Sequence, residues 1–224
     1  MADNSLDTLV EGLQRQIQQP PESSQSAPES GTALVVSCTM ARCRHETLLW
    51  PIDPSWHTCT VNTLGAQTWD HQDGQKVSNE TLTHLTATRD VQAVVVVGHT
   101  ECDVLADAYE RSVVSTEFES DTNAQLDSVM SVVDDAIATG VVDGSLSVRQ
   151  ARPRLAEYCV VRQAEFLTDQ LPSDVTVAGY VHDQEGVYGS FPDKQYLVTV
   201  NGETTDLDSR LPDDESISVG SLLG

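Results

Sequence analysis

From residue 33 onward two hydrophobic periods alternate along the chain. Strand-like apolar runs at 33–37, 57–62, 92–98 and 175–182 are separated by helical patterns near 79–89, 103–115, 122–138 and 147–170. This alternation predicts an α/β fold with a mostly parallel central sheet flanked by helices. In the last helical stretch Val148, Ala151, Leu155, Cys159 and Phe166 keep a helical period. Asp143-Gly144-Ser145 supplies turn and capping chemistry ahead of it, and Pro153 is placed to kink or split its start. Asn79 is a candidate cap for the helix holding Leu82 and Leu85. Tyr196-Leu-Val-Thr-Val-Asn-Gly202 reads as an edge strand and turn, followed by an acidic tail.

Leu6, Leu9, Val10, Leu13 and Ile17 recur at helical spacing, and a polar, proline-broken stretch then runs to Gly31. The expected organisation is therefore an N-terminal helical arm and linker over 1–31, then one domain over 32–224. The arm docks either on its own domain or on a partner subunit. A chain of 224 residues is long enough for one substantial core.

Charge narrows the function classes. Thirty-five acidic residues against 12 basic ones give a net charge of -23, and only Lys76 and Lys194 are lysines. Such a surface repels phosphate backbones and anionic lipids, which argues against nucleic-acid and membrane-surface binding. The acids are spread along the chain rather than gathered in a tail, and with scarce Lys they resemble the coat of a salt-adapted, halophilic protein. Met-Ala-Asp-Asn-Ser-Leu-Asp lacks the features of a secretory signal, so a cytoplasmic protein is expected. Five cysteines are too few for a disulfide scaffold, and metal binding or burial is the better default.

Three metal-ligating residue types stand at strand ends: Cys38 after Ala33–Ser37, and His99 and Cys102 after Ala93–Gly98. Two thiolates and one imidazole leave one corner of a tetrahedral zinc open, which is the pattern of a catalytic site. A lone His-x-x-Cys is weak evidence, but ligands in open α/β sheets gather outside the carboxyl ends of strands, where all three residues fall. Cys38 and His99 meet there only if their strands are neighbours. Cys43, Cys59 and Cys159 carry no ligand argument, and Cys159 lies on an apolar helical stripe. His45 lies near Arg42 and is a candidate proton shuttle, whereas His57, His71, His84 and His182 read as solvated or packed. No nucleophile elbow, Walker loop or dinucleotide fingerprint is present.

Cys38-Thr-Met-Ala-Arg42, Gly98-His-Thr-Glu-Cys102 and Val177-Ala-Gly-Tyr-Val-His-Asp183 resemble the three conserved segments of the β-class carbonic anhydrases over about residues 33 to 190. Trp56–Gly65 fits the family's intervening strand loosely. The resemblance implies that Cys38, His99 and Cys102 bind Zn2+ and that Arg42 is the family's catalytic arginine. It also implies reversible hydration of carbon dioxide to bicarbonate through zinc-bound hydroxide, and a homodimer or assembly of dimers.

The family's aspartate is replaced by Met40, and the glycine after the second cysteine by Asp103. In the family that aspartate pairs with the arginine and accepts a hydrogen bond from the zinc-bound water. A thioether is only a weak acceptor, and core packing is the expected role for Met40. Asp103, Glu101 and Glu46 are candidate substitutes. The reading leans toward a carbonic anhydrase, a zinc lyase. Its alternatives are a zinc-binding homologue that holds a small anion without turnover, and a zinc hydrolase acting on a carbon dioxide analogue such as carbonyl sulfide.

Overall fold

The computed structural model describes residues 31–40, 57–72, 74–114, 124–189, 191–210 and 217–223. Arg42, Cys43, His45 and Glu46 lie outside the described residues, as does the helical arm expected over the N-terminal residues. The strands are β1 (Thr32–Cys38), β2 (His57–Thr63), β3 (Trp69–Gln72), β4 (Gln75–Ser78), β5 (Val91–His99), β6 (Thr176–Asp183), β7 (Lys194–Val200) and β8 (Ile217–Val219). The helices are α1 (Glu80–Thr88), α2 (Asp103–Val114), α3 (Ala124–Ala138) and α4 (Val148–Gln170). Among the described residues, no helix is long and apolar enough to cross a membrane.

Six strands form one sheet in the order β2-β1-β5-β6-β7-β8. β2, β1, β5 and β6 are mutually parallel, β7 runs antiparallel to β6, and β8 pairs parallel with β7. The sheet is thus mostly parallel with flanking helices, as the alternating periods predict. The run from Tyr196 is not an edge strand, because β8 covers its open side. β3 and β4 form a separate antiparallel hairpin.

The unbroken valine run of β5 is buried on both faces, as a central parallel strand requires. Strand parity divides its contacts: Val94 and Val96 pack with Leu34, Val36, Val160 and Val161, while Val95 and Val97 pack with Val35, Ala178 and Tyr180. Two glycines let α4 approach the sheet this closely. A Cβ on Gly98 would lie 2.6 Å from Val160 Cγ2, and one on Gly179 would lie 2.6 Å from both Val160 Cγ1 and Thr199 Cγ2.

Helix α4 is one continuous element, so Pro153 sits inside it without splitting it. Its N-cap is Ser147, whose backbone N–H and hydroxyl both donate to Gln150 Oε1 at 3.2 and 2.7 Å. Asp143 instead shapes the preceding turn by accepting from the Ser145 N–H at 2.8 Å. Asn79 caps α1 as expected, accepting from the Thr81 N–H at 3.0 Å. Cys159 is buried in α4, where burial pushes its thiol up to about 12.

Candidate metal centre

The order of strands creates the site. β1 connects outward to β2 on one side, whereas β5 returns to pair with β1 on the other, so the order in which strands are added reverses at the β1–β5 boundary. The crevice outside the carboxyl ends of two such strands is where open α/β sheets bind ligands. Cys38 is the last residue of β1 and His99 the last of β5. Three residues later Cys102 leads into α2, returning a second thiol to the same point. The adjacency on which a shared site depends is therefore present.

Cys38, His99 and Cys102 are all buried, and their ligating atoms lie within 4.8 Å of one another. The two sulfur atoms are 3.8 Å apart. A tetrahedral zinc with Zn–S bonds of roughly 2.3 Å separates its sulfurs by about 3.8 Å, so the pair already has the required spacing. His99 Nε2 is buried with no hydrogen-bond partner. An unpartnered buried nitrogen is costly in a protein interior and is what an imidazole ligand presents to a metal. The donor set and its spacing fit a four-coordinate zinc with one position open.

The two thiols share their protons unequally. Cys38 is held well below the usual thiol range, chiefly because Cys102 donates to it, with further help from His99 and from the Met40 N–H at 3.4 Å. Cys102 is pushed far up, first by that same hydrogen bond and then by burial. Binding a cation between two such thiols releases their protons, so uptake of a metal here depends on pH.

A pocket of about 130 Å³ opens beside His99, lined by Met40, His99, Glu101, Asp103, Arg152 and Gln184. That is room for several waters at roughly 10–15 Å³ each. Met40 is 50% exposed at its mouth, which corrects the expectation that it packs into the core. The residue follows the end of β1 by two positions, beyond the sheet that would have buried it. Asp103 and Glu101 both line the pocket. His182, in register with His99 on β6, lies 3.7 Å from Asp193, and burial lowers its pKa.

Two lining residues were not legible as site residues. Arg152, from the first turns of α4, places Nη2 3.1 Å from Glu185 and Nη1 3.8 Å from Asp103. Nothing in its helical context marks it, because the pocket wall is assembled from α2, α4 and the turn after β6. Gln184 accepts at Oε1 from His99 Nδ1, 3.0 Å away, when that nitrogen carries the ring proton. Its place two residues past the strand-like run at 175–182 was the available signal.

The turn carrying Gln184 is built by Asp183, which is fully buried. Asp183 Oδ1 accepts from the backbone N–H groups of Glu185, Gly186 and Val187 at 3.2, 2.9 and 3.0 Å, and Oδ2 accepts from Tyr188 at 2.9 Å. Thr100 then ties this turn to the segment carrying His99 and Cys102. Its backbone N–H donates to the His182 carbonyl at 3.0 Å, and its hydroxyl accepts from the Gln184 N–H at 3.0 Å.

Solved structures with this architecture include β-carbonic anhydrases. The β-carbonic anhydrase CcaA matches with a TM-score of 0.55 at 13% identity, over 87% of this chain and 95% of that one. The β-carbonic anhydrase CafA of Aspergillus fumigatus gives 0.53 at 21% identity, over 80% and 84%. One of two tetrameric β-carbonic anhydrases from Sordaria macrospora gives 0.52 at 18% identity, over 80% and 89%. At these identities the likeness is one of fold. No protein-family model matches the sequence, and no curated protein sequence matches it.

Proposed function

We propose that this chain is a zinc-dependent, β-carbonic-anhydrase-like protein that interconverts carbon dioxide and water with bicarbonate and a proton. The observation that carries the reading is the convergence of Cys38, His99 and Cys102 at the ends of adjacent strands, buried and beside a small pocket. When bound, zinc supplies a Lewis acid that brings a coordinated water's pKa toward neutrality.

The chain's own residues set the conditions for that chemistry. Two thiolates and a neutral imidazole cancel the charge of a dication, so the centre is close to neutral. Met40 offers an apolar wall to a small apolar gas. Arg152 is the basic lining residue among the described ones, and its charge faces any anion formed in the pocket. Glu185 and Asp103 share that charge, which weakens the hold on an anionic product. Asp103 or Glu101 can stand in for the carboxylate that Met40 does not provide; Glu46 stays in the proposal on sequence grounds, as does Arg42 as the family's arginine. A homodimer or assembly of dimers belongs to the same reading, which the tetrameric Sordaria proteins of this fold support.

One observation favours a second reading. Met40 occupies the pocket mouth without a strong hydrogen-bond acceptor, which suits a protein that binds zinc and a small anion without turnover. Metal analysis and stopped-flow hydration in molar KCl separate the two, comparing the native chain with Met40→Asp. About one zinc per chain is expected under either reading. Hydration by the native chain supports the enzyme, hydration only by Met40→Asp indicates the anion-binding protein, and a folded native chain that takes up no zinc refutes both.

A further inference from the structure

We infer that Gln184 is a positioning residue that locks His99 in the orientation its metal-facing nitrogen requires, acting from a turn that Asp183 builds for this purpose. The inference rests on the zinc reading above and extends it to a residue that contacts no metal.

His99 has two ring nitrogens with different fates. Nε2 is buried and unpartnered, whereas Nδ1 meets Gln184 Oε1 at 3.0 Å, and the ring reaches to within 4.8 Å of both thiols. An amide oxygen only accepts, so this contact places the ring proton on Nδ1 and leaves the Nε2 lone pair free for a cation. It also fixes rotation about the Cβ–Cγ bond, because a turned ring would break the hydrogen bond and bury Nδ1 without a partner.

Gln184 is held as rigidly as the group it orients. The preceding carboxylate collects four backbone N–H groups from the next five residues, with no basic partner at hydrogen-bond distance among those contacts. The Gln184 N–H is itself bound by the Thr100 hydroxyl, one residue after His99. The ligand and its orienting amide are therefore braced against each other across the β5–β6 boundary. Register supports this, since His99 pairs with His182, two residues before Gln184. Partners of this kind at a metal-bound histidine typically change metal affinity by 10- to 100-fold when removed.

The test measures zinc affinity by competition with a chromophoric chelator in molar KCl for the native chain, Gln184→Leu and Gln184→Glu. Gln184→Leu has similar bulk and no acceptor, and is expected to weaken zinc roughly 10- to 100-fold. Gln184→Glu keeps an acceptor at the same reach and is expected to restore native affinity or better. In the zinc-loaded protein, proton NMR should show a slowly exchanging imidazole Nδ1–H in the native chain and Gln184→Glu, and lose it in Gln184→Leu. Native affinity and an unchanged Nδ1–H signal in Gln184→Leu would overturn the inference alone. Absence of zinc binding by the folded native chain would overturn the zinc reading and this inference with it. If Gln184→Leu does not fold, lack of a protected Nδ1–H in the native protein overturns the inference.

Discussion

Gly98→Ala should disturb both the core and the site, because Gly98 precedes His99 and touches α4. The added Cβ would fall 2.6 Å from Val160 Cγ2 and 3.3 Å from the Ala156 carbonyl oxygen. Ordinary carbon contacts begin near 3.5 Å, so Val160 must retreat by about 0.9 Å or α4 must shift. Val160 is a poor candidate for local retreat, since its other methyl would meet any Cβ on Gly179 at the same 2.6 Å.

Overpacking of this kind costs about 1–3 kcal/mol, against which reduced freedom of the unfolded chain returns roughly 0.4–1 kcal/mol. The net expectation is a loss of about 1–2 kcal/mol, with weakened zinc binding because His99 moves with the strand. Val160→Ala alone should cost about 2 kcal/mol from lost burial and a small cavity. In the Gly98→Ala background it should cost less by roughly 1–2 kcal/mol, because it opens the space the new methyl needs. Urea denaturation of all four proteins in molar KCl measures the coupling. Equal cost of Val160→Ala in both backgrounds, with Gly98→Ala neutral, would refute the close-approach argument.

Other expectations follow from single features. Asp183→Ala leaves four backbone N–H groups without their acceptor, which should cost roughly 3 kcal/mol or more and speed amide exchange over residues 184–188; unchanged exchange would contradict the cage. Tyr188 donates to the buried Glu157 at 2.7 Å, and burial and that carboxylate raise its pKa. A raised folded value stabilises fully below the unfolded pKa of about 10 and is lost as pH rises through the folded one, so stability should fall in alkali more gently for Tyr188→Phe. Parallel pH–stability curves for the two proteins would show that Tyr188 does not contribute. Arg152→Met should weaken inhibition by small anions about 10-fold while leaving zinc content unchanged, read by anion titration of hydration rate; unchanged inhibition would remove Arg152 from the site. With a net charge of -23, the melting temperature should rise from dilute buffer to molar KCl as the screening length shrinks from about 30 to 3 Å; a flat response would dismiss the salt-adapted reading.

How much of this was legible in the sequence depended on how local each feature is. The cores of β1 and β5 could be read because unbroken apolar runs have few alternatives. Their adjacency could not, since parallel pairing joins segments about sixty residues apart and leaves no mark on either. The hairpin β3–β4 is short and mostly polar, turning at Gly74 with a φ of +78°, and gives little hydrophobic signal. β8 has three residues and exists by pairing with β7, whose own period suggested an edge. For Met40, apolar character suggested burial, but position two residues past a strand end decided its exposure. Cys38, His99 and Cys102 were recognisable by type and strand-end placement. Gln184 and Arg152 have ordinary chemistry and reach the pocket by tertiary assembly alone.

The most direct test of the central claim is the zinc-dependent rate of carbon dioxide hydration, followed by stopped flow in molar KCl for the native chain and Cys102→Ser. The account predicts a rate that rises with bound zinc up to one equivalent per chain, vanishes on chelation and is absent in Cys102→Ser. A native rate indistinguishable from buffer at full zinc loading, or one that survives loss of Cys102, would contradict it.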